Sequence, residues 1–195
     1  MLKVGITGGI GSGKSFIAKV FYELGASIYD ADTFAKYLMQ NNESVKEKIK
    51  LLLGDEAYRN DTINRHFIEQ KIYGNKHLLT AVNNIIHPAV KQHFNEWCSE
   101  QSGKYVIKET AIMFESGANY GLDFIVTVSS PFELRKRRTL TREGMTEEKF
   151  NAIVKNQLTD VQRNTKANFV IENDDKQLLL PEILKLHDLF LAKCS

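Results

Sequence analysis

Gly8-Gly9-Ile10-Gly11-Ser12-Gly13-Lys14-Ser15 is the stretch that decides how the rest of the chain reads. It satisfies G-x-x-x-x-G-K-[ST], a phosphate-binding loop, which requires an apolar strand before it and a helix after it. Leu2 to Ile6 is short, apolar and β-branched at Val4 and Ile6, which predicts a buried strand. Phe16, Ile17, Val20, Phe21 and Leu24 recur at the spacing of one helical face, with Gly25 as a stop. The glycines at 8, 11 and 13, with Ser12, let the backbone turn so that successive N–H groups face the phosphates. The helix N-terminus adds partial positive charge. Lys14 neutralises β- and γ-phosphates and the Ser15 hydroxyl ligates Mg²⁺, so ATP with Mg²⁺ is the expected ligand.

Composition narrows the setting. The chain has 195 residues, 26 Lys+Arg against 24 Asp+Glu, and 43% hydrophobic residues, as in a globular protein. A net charge of +2 argues against a nucleic-acid binder that uses its whole surface, and no nucleic-acid partner is expected. No apolar run approaches a membrane span of roughly 18 residues, and the N-terminus lacks a secretory signal's apolar stretch. Cys98 and Cys194 lack metal-ligand spacing, which leaves a reducing cytoplasm as the default and Cys98, beside Trp97, as a buried inert thiol. Residues 135–142 hold five Arg/Lys and no acid, so the remainder of the chain is mildly acidic.

Ala26–Tyr29 predicts a second strand ending in Asp30-Ala31-Asp32, and further strands are expected at 105–107, 124–128 and 169–171. Between them, the sets Val45/Ile49/Leu52/Leu53, Leu78/Val82/Ile85/Ile86 and Val90/Phe94/Trp97/Cys98 predict three helices in an insertion. Helices are also expected near 146–158 and 180–192. The expected fold is α/β: a P-loop nucleoside-triphosphate hydrolase-like three-layer arrangement with a five-stranded, mostly parallel sheet. The expected domain plan is core at 1–32, helical acceptor-binding insertion at 33–104, core at 105–134, basic lid at 135–160 and core at 161–195. No Asn-Lys-x-Asp guanine motif is present, since Asn75-Lys76-His77-Leu78 fails at its fourth position. A small-molecule kinase is the natural reading; the closest rival enzyme is another P-loop kinase acting on a nucleoside or nucleotide, and a nucleotide-gated binding protein is the rival from another class.

Several residues carry two readings each. Asp30 and Asp32 fall where ligands gather in parallel sheets, and in an extended segment they point the same way, suiting a carboxylate that accepts a hydroxyl proton. A solvated turn with an Asp capping the next helix fits equally well. His87 precedes Pro88, so a helix is expected to end there, with His87 as a cap, a core hydrogen-bonder or an acceptor contact. Glu115 could face an acceptor or Mg²⁺, or simply start a helix. Arg135-Lys136-Arg137-Arg138 with Arg142 reads as a lid over the triphosphate, a solvated face or a nucleic-acid patch. Arg138 and Arg142, four apart, would stack on one helical face. In the lid reading they stabilise charge on the transferring group.

Taken together, Thr7 to Ser15, Leu24-Gly25, Asp30-Ala31-Asp32-Thr33-Phe34-Ala35-Lys36, Ile85-Ile86-His87-Pro88, Met113-Phe114-Glu115, Arg138, Arg142, Gln157 and Ala167 to Ile171 with Asn173 resemble the dephospho-coenzyme A kinase family. The resemblance implies transfer of the ATP γ-phosphate to the ribose 3′-hydroxyl of dephospho-coenzyme A, the last step of coenzyme A synthesis. It implies Asp32 as catalytic base, with Lys14 and Arg142 assisting. It adds Phe16 and Asn173, the latter on the adenine side, to the nucleotide contacts. It places Thr7, Asp32, Lys36, His87 and Glu115 on the acceptor. The expected partner is this small molecule alone, with the protein a monomer or weak homo-oligomer. The chain departs from the family's usual pattern with Lys36 for Arg, Ala111 for Pro, Asn168 for Asp and Asp175 for Gly.

Overall fold

The computed structural model describes residues 1–194, which divide into two compact units. One comprises Met1–Asp30 and the chain from Gln101 onward; the other is Ala31–Glu100.

The first unit begins with β1 (Leu2–Gly8), the loop, α1 (Lys14–Glu23) and β2 (Ser27–Asp30). The second unit then intervenes: α2 (Ala31–Asn41), α3 (Glu43–Leu53), a 3₁₀ turn at Asp55–Ala57, the small hairpin β3 (Tyr58–Arg59) and β4 (Thr62–Ile63), α4 (Arg65–Ile72) and α5 (Lys76–Ser99). The first unit resumes with β5 (Tyr105–Glu109), β6 (Phe124–Ser129), α6 (Phe132–Leu140), α7 (Glu147–Lys155), α8 (Asp160–Lys166), β7 (Phe169–Glu172) and α9 (Leu179–Lys193).

The sheet runs β2-β5-β1-β6-β7, and all four pairings are parallel. Successive strands stack on one side of β1 and then cross to the other, so the loop after β1 opens at the point where the strand order reverses. That is where ligands bind in such sheets. On one face, Val4, Ile6, Tyr105, Ile107, Val126, Val128 and Ile171 pack with Ile17, Ala18 and Phe21 of α1 and Ile183, Leu186 and Phe190 of α9. Phe190 is fully buried among the rings of Phe21, Tyr105, Phe124 and Phe169, with centroids 5.6–6.2 Å away. Such ring pairs stabilise beyond area burial alone.

In the second unit, asparagines start three helices. The side chains of Asn42, Asn64 and Asn75 accept the N–H groups of Val45, Phe67 and Leu78. The hairpin turns on Asn60 and Asp61, both at positive φ, as a two-residue turn of right-twisting strands demands. Asp61 and Glu43 both reach the buried Lys46 ammonium at 2.9 Å, and this bond holds the Asp61 carboxyl below its usual range.

Three local expectations change. The helix does not end at His87: α5 runs through Pro88, and two predicted helices become one. An interior proline removes one backbone hydrogen bond. Here, Val82, Ile86, Val90, Phe94 and Cys98 bury one continuous stripe that holds the helix together. Asp30 and Asp32 do not share an extended segment, because the helix starts at Ala31; Asp32 sits instead in the first turn of α2, where the dipole favours a carboxylate. Arg138 and Arg142 do not share a helical face either, since α6 ends at Leu140.

Candidate active site

The site is built at the carboxyl end of β1. Gly13 caps α1 at φ 92°, with no side chain closing the helix end, so the first-turn N–H groups are directed outward toward an anion. Gly11 is also left-handed, and a Cβ there would lie 2.4 Å from the Arg135 carbonyl oxygen. Only glycine meets both conditions. A Cβ on Gly13 would strike the Asn173 amide at 2.3 Å. That amide donates to the Ser12 carbonyl at 2.8 Å, while the Asn173 backbone N–H donates to the Ser129 carbonyl at 2.7 Å. Asn173, at the end of β7, therefore braces the P-loop from behind.

Ser15 lies in the first turn of α1 and donates its hydroxyl to Glu109 Oε1 at 2.6 Å. Glu109 is the last residue of β5, in register with Ile6, and is buried. Sequence reasoning missed it. Lys108 broke the apolar run, so the strand was expected to stop at Ile107; the available signal was a carboxylate directly following a buried parallel strand. A hydroxyl and a carboxylate side by side are hard oxygen donors of the kind Mg²⁺ takes alongside phosphate oxygens and water. No group of three or more His, Cys, Asp or Glu among the described residues could hold a metal by itself.

The basic stretch separates into distinct roles. Arg135 is buried, donating to the carbonyls of Ser130 and Ile10 at 3.1 and 3.4 Å and to Asp160 at 2.7 Å. Asp160 also pairs with the fully buried Arg163. Lys136 meets Glu147 at 2.5 Å, tying α6 to α7, and this carboxylate raises the Lys136 pKa. Arg138 donates to Asn173 Oδ1 at 3.1 Å and pairs with Asp175, which Arg137 also approaches at 3.7 Å. Arg142 is exposed beyond the end of α6.

Of the other expected residues, Lys14 is half-buried, and Phe16 stands 59% exposed on the first turn of α1. Gly8 and Ser12 are buried in the loop, and the Ser12 hydroxyl has no hydrogen-bond partner. Thr7 is fully buried in β1 in register with Thr127, and its hydroxyl has no hydrogen-bond partner among the described residues. Inward-facing positions of a central strand are closed by the helix layers. Glu115 lies in the turn segment after β5 and accepts the Leu158 N–H at 2.6 Å. Asp32 and Lys36 are exposed one turn apart on α2, and His87 is half-buried on α5.

A family model for dephospho-CoA kinase matches residues 2–178. The chain belongs to the dephospho-CoA kinase family. A dephospho-CoA kinase from Bacteroides fragilis is 34% identical over 186 residues, covering 95% of this chain and 91% of that protein. A crystal structure from Thermus thermophilus superposes with a TM-score of 0.83 at 27% identity, covering 100% of this chain and 98% of the other. The dephospho-CoA kinase from Campylobacter jejuni shares the fold, with a TM-score of 0.72 at 23% identity, covering 99% and 98%. Two family departures have visible counterparts. Asn168 exchanges hydrogen bonds with the Ile125 backbone, side chain to N–H at 2.8 Å and N–H to carbonyl at 2.9 Å. Asp175 adopts φ 63°, the left-handed conformation a glycine would take freely. Among the described residues, no helix is long and apolar enough to cross a membrane.

Proposed function

We propose that this chain transfers the γ-phosphate of ATP to the ribose 3′-hydroxyl of dephospho-coenzyme A, giving coenzyme A and ADP as the final step of coenzyme A synthesis in the cytoplasm. Family membership supports the reaction. The observation that carries the site assignment is Ser15 meeting Glu109 beside the uncapped start of α1.

In this reading the P-loop N–H groups and Lys14 hold the triphosphate. Ser15 and Glu109 hold Mg²⁺, which supplies charge neutralisation of the phosphates when bound. Asp32 takes the proton of the 3′-hydroxyl as its oxygen bonds to the γ-phosphorus and the bridging oxygen leaves with ADP. Lys36 and His87, like Asp32 in the unit Ala31–Glu100, serve the acceptor. Glu115 serves it less directly, because its carboxylate already holds the chain after α7. Arg142, and Arg138 on release from Asp175, close over the phosphates and exclude water, which would otherwise take the phosphoryl group. Phe16 flanks the nucleotide. Asn173 serves the adenine side by holding the Ser12 carbonyl and Arg138 in register. The working protein is a monomer or weak homo-oligomer with no nucleic-acid partner.

The test is ADP formation with ATP, Mg²⁺ and a panel of dephospho-coenzyme A, nucleosides and nucleoside monophosphates. Turnover dependent on dephospho-coenzyme A is expected, and Asp32→Asn should lower kcat by about 100-fold or more while ATP still binds. Preference for a nucleoside or monophosphate would replace the acceptor assignment. Nucleotide binding without turnover would make the protein a switch.

A further inference from the structure

Both polar backbone atoms of Ile10, inside the P-loop, are gripped by side chains from distant parts of the chain. Its N–H donates to Gln157 Oε1 at 3.0 Å, and its carbonyl accepts from Arg135 at 3.4 Å. The other end of the Gln157 carboxamide donates to the Ala111 carbonyl at 3.0 Å, in the segment that follows β5. One planar group thus spans the loop after β1 and the loop after β5. The ladder between those strands closes with the Thr110 N–H on the Ile6 carbonyl at 3.1 Å. The two halves of the candidate metal pair flank these loops, Ser15 following the first and Glu109, the last residue of β5, preceding the second. Gln157 is itself fixed by its neighbour: the Leu158 N–H donates to Glu115 at 2.6 Å, and the Leu158 carbonyl accepts from the buried Arg163.

We infer that Gln157 is a positioning residue for the phosphate and metal site, and the inference rests on the kinase reading above. Its carboxamide keeps the P-loop and the β5 arm at the separation in which Ser15 and Glu109 meet. It offers an acceptor on one side and a donor on the other, as the planar primary amide does without change of protonation. Because Gln157 directly follows the α7 region and Arg135 lies on α6, movement of either helix is felt at Ile10.

The experiment compares the wild-type enzyme with Gln157→Met, which keeps length and bulk but makes neither hydrogen bond. Loss of two net hydrogen bonds corresponds to a change of about 30-fold. The expected result is a rise of that size in the ATP KM, in the ADP dissociation constant and in the half-saturating Mg²⁺ concentration. The KM for dephospho-coenzyme A should not change, and the far-UV spectrum should remain that of the folded protein. A folded Gln157→Met with wild-type ATP and Mg²⁺ requirements would overturn the proposal, as would an equal weakening of both substrates. If Gln157→Met does not fold, Gln157→Glu keeps the acceptor for Ile10 and loses the donor to Ala111. It should still raise the Mg²⁺ requirement, and an unchanged requirement would count against the role. Should the wild type bind ADP yet fail to phosphorylate dephospho-coenzyme A, the kinase reading falls, while the ADP and Mg²⁺ comparison still decides the role of Gln157.

Discussion

Arg135 and Arg142 belong to one basic stretch, yet the fold puts them to opposite uses. Arg135 is enclosed on α6, with its guanidinium divided among Ser130, Ile10 and Asp160. Arg142 stands in solvent past the end of the same helix. Arg138 is intermediate, pinned between Asn173 and Asp175. A run of positive charge is therefore no single feature. Its inner member is held against the Ile10 carbonyl of the P-loop, and its outer member stands exposed. The same division should separate a residue whose loss damages folding from one whose loss, in the proposed reaction, damages chemistry.

The largest effect should come from the inner end. Removing the buried Arg135 guanidinium leaves the Ser130 and Ile10 carbonyls without their donor, and Arg135→Met should cost about 3 kcal/mol of stability. A denaturant melt measures this, and a variant as stable as wild type would break the scaffold half of the comparison. Next, Arg142→Ala should leave the melt unchanged and lower kcat by about 100-fold, as for loss of a donor to the transferring phosphoryl group. Equal kcat and ATP KM in that variant would remove Arg142 from the lid. The smallest effect belongs to Asp175→Gly. It loses an ion pair at the surface but relieves a left-handed non-glycine backbone, so stability should stay within about 1 kcal/mol. With Arg138 released, the ATP KM should fall; a rise would mean that Asp175 orients Arg138 productively.

Much of this arrangement is legible in the sequence where short-range rules apply. The P-loop, its flanking strand and helix, and the parallel sheet follow from local pattern, because glycine placement and apolar periodicity are properties of neighbours in the chain. What stayed hidden depends on partners far apart. Pro88 marks a helix end by local rules, but the buried stripe from Val82 to Cys98 overrides it. Glu109 looked like the polar edge of a strand, and only the pairing of β5 with β1 brings it to Ser15. Nothing local separates Arg135 from Arg142, since the difference lies in Asp160 and the Ile10 carbonyl.

The central claim is that this P-loop delivers a phosphoryl group to one particular hydroxyl. Incubation with γ-³²P-labelled ATP, Mg²⁺ and dephospho-coenzyme A, followed by enzymatic removal of 3′-phosphate from the product, tests it directly. The account predicts one label per acceptor, all of it released by a 3′-specific phosphatase. Label appearing only as inorganic phosphate, or on the acceptor at a position resistant to that phosphatase, would contradict it.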